Sequence, residues 1–182
     1  MTDGIRLACR CDEVQLQVER APIVATECYC TSCRTAGARL HKLANAPPVL
    51  QADGGTRFVL YRKDRVRFLK GADRLAEFRL TPQSPTRRVV ATCCNTPVFL
   101  EFNRGHWLSL YGNLWPAGAL PPIELRTMTV DLPDASVLGT DVPRAGRQSL
   151  SFFAKLLGAW IAMGFRAPEI KAVQRTLAVP EA

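Results

Sequence analysis

The chain has 182 residues, 47% of them apolar and 22% charged. That composition excludes collagen-like repeats and low-complexity disorder, and the length suits one domain with its own core. The formal net charge of +8 comes from 24 lysines and arginines against 16 acidic residues, with 19 of the 24 being arginine; a balance this mildly basic does not by itself make a nucleic-acid binder.

In chain order, the first residues, MTDGIRLACRCDEV, hold no apolar core of a secretory signal, so a reducing cytoplasmic setting is expected, where clustered thiols serve metal or redox chemistry. Val14, Leu16 and Val18 alternate with Gln15 and Gln17 and predict a half-buried strand. Thr26 to Gly37 carries three cysteines without lasting periodicity and reads as a metal-organised knuckle with a short helical turn leading to Gly37. Asn45 to Gly55, with Pro47-Pro48 and Asp53-Gly54-Gly55, reads as loop. Strands are expected over Arg57–Arg62, Val66–Leu69 and Arg74–Leu80, then a loop over Thr81–Arg88. Val89 to Phe102 returns to strand around a turn at Asn95-Thr96-Pro97.

Leu108 to Leu120, punctuated by Gly112, Pro116 and Gly118, reads as packed loop or short turns, and Ile123 to Leu132 as a last strand. Beyond a break at Pro143–Gly146, apolar residues from Phe152 to Met163 recur at helical intervals over Ser149–Phe165, and a second short helix is expected over Glu169–Leu177. The longest apolar stretch, Phe152 to Phe165, is interrupted by Lys155 and is too short to span a membrane. Short strands without intervening amphipathic helices predict a mainly β fold rather than βαβ units. The expected organisation is a β domain over residues 1–142 and a helical C-terminal extension over 143–182, packed on that domain or at a homodimer contact.

Seven cysteines are an odd number, so complete pairing into internal disulfides is excluded. They fall into three groups: Cys9-x-Cys11, Cys28-x-Cys30-x-x-Cys33 and Cys93-Cys94. Residues two apart on a strand share a face, so Cys9 and Cys11 can offer both sulfurs to one ion. The triplet surrounds a bend where three thiolates can hold zinc with a fourth position open, the feature that separates catalytic from closed structural zinc. All-sulfur donors select zinc or iron–sulfur over magnesium or calcium. Cys93 and Cys94 point to opposite faces if both are extended, whereas a turn brings them together.

The segments CRCDEV, CYCTSCRTAG and CCNTPVF together resemble the glutathione-dependent formaldehyde-activating enzyme and centromere protein V group, over about Ile5 to Phe102. The resemblance implies a small twisted β fold. It also implies a structural zinc held by the first and last cysteine pairs, and a second zinc held by the middle three cysteines where a glutathione adduct binds. Carried onto this chain, Cys9, Cys11 and Cys94 match structural ligands, and Cys28, Cys30 and Cys33 match the second site. Arg34 and Gly37 match the residues that follow the triplet, which makes Arg34 the expected substrate-binding residue. The chain departs from the pattern at Asp12 and Asn95, where glycine is usual, at Tyr29, where histidine is usual, and at Ala91, where the first cysteine of the last pair is usual. Cys93 is the replacement: either it joins Cys9, Cys11 and Cys94, or it closes the triplet from the other face. The first arrangement is favoured because three ligands leave a structural ion exposed. Two zinc ions are then expected, or one if a site is degenerate.

Other residues carry less. Arg62, Lys63, Arg65, Arg67 and Lys70 read as a solvated strand face, or as a surface for an acidic ligand such as a glutathione carboxylate. His41 and His106 lack spacing to a nucleophile or metal motif, Glu27 could orient a ligand or water, and Ser109, Ser149 and Ser151 sit in no nucleophile elbow. The function expected is a zinc-binding protein with carbon–sulfur lyase-like action on a thiol adduct. The alternatives are a non-catalytic zinc-stabilised protein-interaction domain and a dithiol redox protein using Cys30 and Cys33. Nucleic acid is not an expected partner.

Overall fold

A computed structural model describes residues 4–181. In it the chain runs through β1 (Ile5–Ala8), β2 (Gln15–Val18), β3 (Val24–Cys28), α1 (Thr31–His41), β4 (Thr56–Arg62), β5 (Val66–Lys70), β6 (Leu75–Phe78), β7 (Thr86–Ala91), β8 (Thr96–Phe102), β9 (Trp107–Tyr111), β10 (Leu125–Thr127), α2 (Leu150–Ile161) and β11 (Arg175–Thr176). The fold is mainly β, with a three-stranded sheet ordered β1-β2-β5 and an eight-stranded sheet ordered β10-β3-β4-β9-β8-β7-β6-β11. Among the described residues no helix is long and apolar enough to cross a membrane.

Alternation of side chains decides the layers. Leu7, Val14, Leu16 and Val18 of the small sheet pack against Val59, Tyr61, Val89, Phe99, Leu108 and Leu110 on one face of the large one. Their neighbours point the other way: Phe58, Leu60, Leu100 and Tyr111 meet Phe152 and Leu156 of α2, while Phe78 and Val90 meet Ala36 and Leu40 of α1. The helices therefore cover one face of the large sheet and the small sheet covers the other.

Four sequence expectations change. Trp107–Tyr111 is a strand in the middle of the large sheet, paired with both β4 and β8; the alternation of Leu108 and Leu110 with Ser109 was masked by the glycines and proline that follow it. The knuckle is an 11-residue helix that runs on past Gly37. Gly37 does not end it; a Cβ there would lie 2.6 Å from the Leu50 side chain, so glycine answers a close approach. The loop over 81–88 ends early because Thr86 already pairs with Phe102, and the turn between β7 and β8 is Thr92–Asn95. No helix forms over Glu169–Leu177. Nine residues make a marginal helix, whereas the free edge of β6 offers partners: Arg175 and Thr176 pair with Ala76 and Glu77, and the Leu177 N–H donates to the Glu77 carbonyl at 2.8 Å.

Candidate metal centres

The seven cysteines form two groups, and within each the sulfurs all lie within 4.8 Å of one another. The first holds Cys9, Cys11, Cys93 and Cys94. Cys9 Sγ is 3.6 Å from Cys11 Sγ and 3.8 Å from Cys93 Sγ, and the sulfurs of Cys93 and Cys94 are 3.9 Å apart. Two tight turns build it. After β1 the Asp12 N–H donates to the Cys9 carbonyl and the Cys9 N–H to the Val14 carbonyl; after β7 the Cys94 N–H donates to the Ala91 carbonyl. Asp12 and Asn95 sit in these turns at φ 62° and 54°. The left-handed region favours glycine, and Asn and Asp are the side chains that tolerate it best. Both departures from the glycine pattern therefore keep the turn geometry.

The second turn answers where Cys93 lies: with the first group, not with the triplet. Backbone and hydroxyl donors complete the surroundings. The Val14 N–H donates to Cys9 Sγ at 3.2 Å, and the Arg10 N–H donates to Thr96 Oγ1 at 3.1 Å. That acceptance leaves the Thr96 hydroxyl hydrogen for Cys94 Sγ, 3.0 Å away. Burial opposes charge on Cys94, but the Thr96 hydroxyl and the Cys11 donors outweigh it and bring its thiol down to about 6. Burial and the adjacent Cys11 and Cys9 sulfurs push Cys93 up.

The second group holds Cys28, Cys30 and Cys33. Cys28 ends β3, Cys30 is the N-cap of α1 with extended backbone, and Cys33 lies in the first helical turn, its N–H donating to Cys30 Sγ at 3.3 Å. Hydrogen bonds from the Cys28 and Cys33 thiols, working against burial and helped by the Cys33 N–H and the nearby Arg88 charge, bring Cys30 down to about 3. Its neighbours move the other way: Cys28 rises to about 11, chiefly through sharing its hydrogen bond with Cys30, and Cys33 rises for the same reason. A thiolate at a helix N-terminus is a ready nucleophile or metal ligand.

Arg88 of β7 supplies the balancing charge. It is 1% exposed, and its Nη2 donates to the Ser32 carbonyl at 3.1 Å and to Ser32 Oγ at 2.9 Å, inside the first turn of α1. Among the described residues its Nε and Nη1 have no hydrogen-bond partner. A buried guanidinium with idle donors is costly unless an anion lies nearby. Three thiolates around a divalent cation carry one net negative charge, which is what this cation would offset. Both all-sulfur donor sets are of the kind that can hold zinc, and the buried cation lies beside the triplet.

Tyr29, between Cys28 and Cys30, is fully buried, and its hydroxyl lies 2.8 Å from both Glu27 Oε2 and Asp53 Oδ2. Burial, reinforced by both carboxylates, raises the phenol well above its ordinary range, so it stays protonated. Arg126 Nε reaches Glu27 Oε2 at 3.4 Å, and a Cβ on Gly55 would come within 2.9 Å of Glu27 and Tyr29. This network fixes the backbone that carries Cys28 and Cys30. Glu27 is thus engaged by Tyr29 and Arg126. Asp131 Oδ2 accepts from the Thr31 N–H at 2.8 Å, and the Asp131 carbonyl accepts from Arg34 Nη1 at 3.0 Å.

The remaining candidates lie elsewhere. His41 is exposed at the end of α1, and His106 is buried, its Nε2–H donating to the Leu156 carbonyl at 2.9 Å. Ser109 is buried in β9, and Ser149 caps α2 beside Ser151. In the basic run, Arg62 pairs with Asp64, Lys63 with Glu101, Arg67 with Glu19 and Lys70 with Glu13. Arg88, Thr96, Asp53 and Asp131 are the residues around the sulfurs that the sequence reading missed. The strand alternation of Thr86–Ala91 is the one signal that could have singled out Arg88, as a charge on the same face as Val90 in a strand that ends in apolar residues.

Comparison with known proteins returns a family model described as glutathione-dependent formaldehyde-activating enzyme, matched over residues 5–111. No curated protein matches the sequence. The crystal structure of a Rhodobacter sphaeroides protein from a structural-genomics programme matches over 78% of this chain and 100% of its own, at a TM-score of 0.46 and 17% identity.

Proposed function

The chain belongs to the glutathione-dependent formaldehyde-activating enzyme family, and from that premise we propose that it binds two zinc ions and acts on a thiol adduct of glutathione type, in the manner of a carbon–sulfur lyase. Cys9, Cys11, Cys93 and Cys94 would hold a structural zinc; Cys28, Cys30 and Cys33 would hold a second ion with one position open. The observation that carries the reading is the division itself: four sulfurs gather in one group and three in the other. Zinc in such a three-sulfur site supplies a Lewis acid and a soft docking point for a substrate sulfur.

The chain's own residues prepare that site. The Cys33 N–H at the helix start holds Cys30 Sγ in place, and the Tyr29–Glu27–Asp53 network keeps the β3–α1 bend from shifting. The Arg88 charge favours the Cys30 thiolate, while its Nη2 tethers it to Ser32. Arg34 spends Nη1 on the Asp131 carbonyl, and its other nitrogens remain for a substrate carboxylate, for which a guanidinium fork is well shaped.

A second reading, a zinc-stabilised protein-interaction domain, is favoured by one observation: Phe153, Leu157 and Ile161 of α2 are each more than half exposed, a face for a partner or a second copy. Calorimetry with glutathione separates the two. The wild-type protein is expected to bind it and the Cys30→Ser protein to lose at least about tenfold in affinity. Absence of binding to both would leave the interaction domain.

A further inference from the structure

The second reactive-looking region lies at the opposite end of the large sheet from both cysteine groups. β8 begins at Thr96, beside Cys94, and ends at Phe102. Six residues of extended chain put roughly 20 Å between the two ends. At the Phe102 end is a cavity of about 1000 Å³ whose floor is formed by β7 and β8 and whose wall is the segment 167–174. The wall lies beyond the part of the chain matched to the family, which ends at residue 111.

The floor is a network of charges. Lys63 and Glu101 are 5% and 6% exposed. Glu101 binds Lys63 at 2.5 Å through one oxygen and Arg87 at 2.6 Å through the other. Glu77 likewise binds Arg87 and Arg79, each at 3.1 Å. Three cations thus share two carboxylates, both already fully used. The surplus positive charge falls on the cavity side of the network, where Arg79 is partly exposed. The rim adds Arg104 and Lys171, exposed and without a side-chain partner among the described residues, against Glu169. Five cations therefore meet three carboxylates, an excess of two positive charges. Phe102, Ile170 and Val173 supply an apolar wall, and Arg87 Nη2 donates to the Ile170 carbonyl at 3.2 Å, fastening that wall to the charged floor.

We propose that this cavity is a binding site for an organic dianion, a molecule with an apolar body and a phosphate monoester or paired carboxylates as its head. The head is held between Arg104 and Lys171 above the Lys63–Glu101–Arg87 network, and the body lies on Phe102 and Val173. Binding at this site does not depend on the cysteines.

The probe is 1-naphthyl phosphate, titrated calorimetrically into the full-length zinc-loaded protein, with 1-naphthol and inorganic phosphate as separate controls. One equivalent of naphthyl phosphate is expected to bind, more tightly than either control, with affinity falling as salt is raised. The exposed-residue variant Arg104→Ala/Lys171→Ala is expected to fold normally and to lose at least about tenfold in affinity, since hydrogen bonds to charged groups are the stronger ones. Cys30→Ser, which tests the thiol site, is expected to bind the probe unchanged. The proposal is overturned if naphthyl phosphate does not bind, if naphthol binds as well, if the double variant binds like wild type, or if Cys30→Ser abolishes binding.

Discussion

Stripping zinc from the protein with a strong chelator is expected to lower its melting temperature by about 10–20 °C and to loosen the β1–β2–β5 layer before the rest. The first cysteine group joins the two sheets: Cys9 and Cys11 follow β1, and Cys93 and Cys94 lie in the turn between β7 and β8. Without the ion, four sulfurs crowd together with burial pushing Cys9 and Cys93 up. With zinc held there, all four would be thiolates tied to one centre. Structural zinc supplies a large share of folding energy in small domains. A loss of about 5 kcal/mol corresponds to a shift of that size in a chain of this length. Cys94→Ser should reproduce most of the effect, whereas Cys30→Ser should leave the melting temperature within a few degrees of wild type. Thermal scans of the three proteins check this; equal, small shifts for all would remove the structural role assigned to the first group. Acid should act in the same direction, because the ligands must be deprotonated to bind, so metal is lost as pH falls.

Arg88→Met is expected to weaken metal binding at the triplet by about 10–100-fold while leaving the four-cysteine group intact. Among the described residues the guanidinium has its only hydrogen bonds to Ser32, between Cys30 and Cys33, and it is one of the forces that hold Cys30 as a thiolate. Methionine keeps the volume and deletes both the tether and the charge. Under a competing chelator the variant should retain one zinc where wild type retains two. Arg88→Lys, which keeps the charge and loses the fork, should fall between them. Two tightly held ions in Arg88→Met would show that the arginine serves packing alone.

The strands β2, β4, β5, β6 and β8 and the helix α2 were legible because alternation and helical spacing survive in the residues themselves. What escaped was decided by partners distant in sequence. Trp107–Tyr111 becomes a central strand because β4 and β8 both present open edges to it; Arg175–Thr176, inside the segment expected as a helix, becomes edge strand because β6 offers an edge. The same holds at the sulfurs. Spacing gave three groups and the family resemblance implied how they combine, but the place of Cys93 depended on a turn held by Asn95 in the left-handed region. Arg88 and Asp131 reach α1 from elements 56 and 100 residues away, and no local pattern announces contacts of that range. Asp12 and Asn95, which look like departures in a motif, are the substitutions a left-handed turn accepts.

The central claim is that seven cysteines divide into a closed set of four and an open set of three. X-ray absorption at the zinc edge of the Cys30→Ser protein, with the metal count taken on the same sample, tests it most directly. The account predicts one tightly bound zinc in that variant, surrounded by sulfur alone at about 2.3 Å, and two zinc ions in the wild type with a lighter atom joining the average shell. A single zinc in the wild type, iron with labile sulfide, or a mixed shell in Cys30→Ser would contradict it.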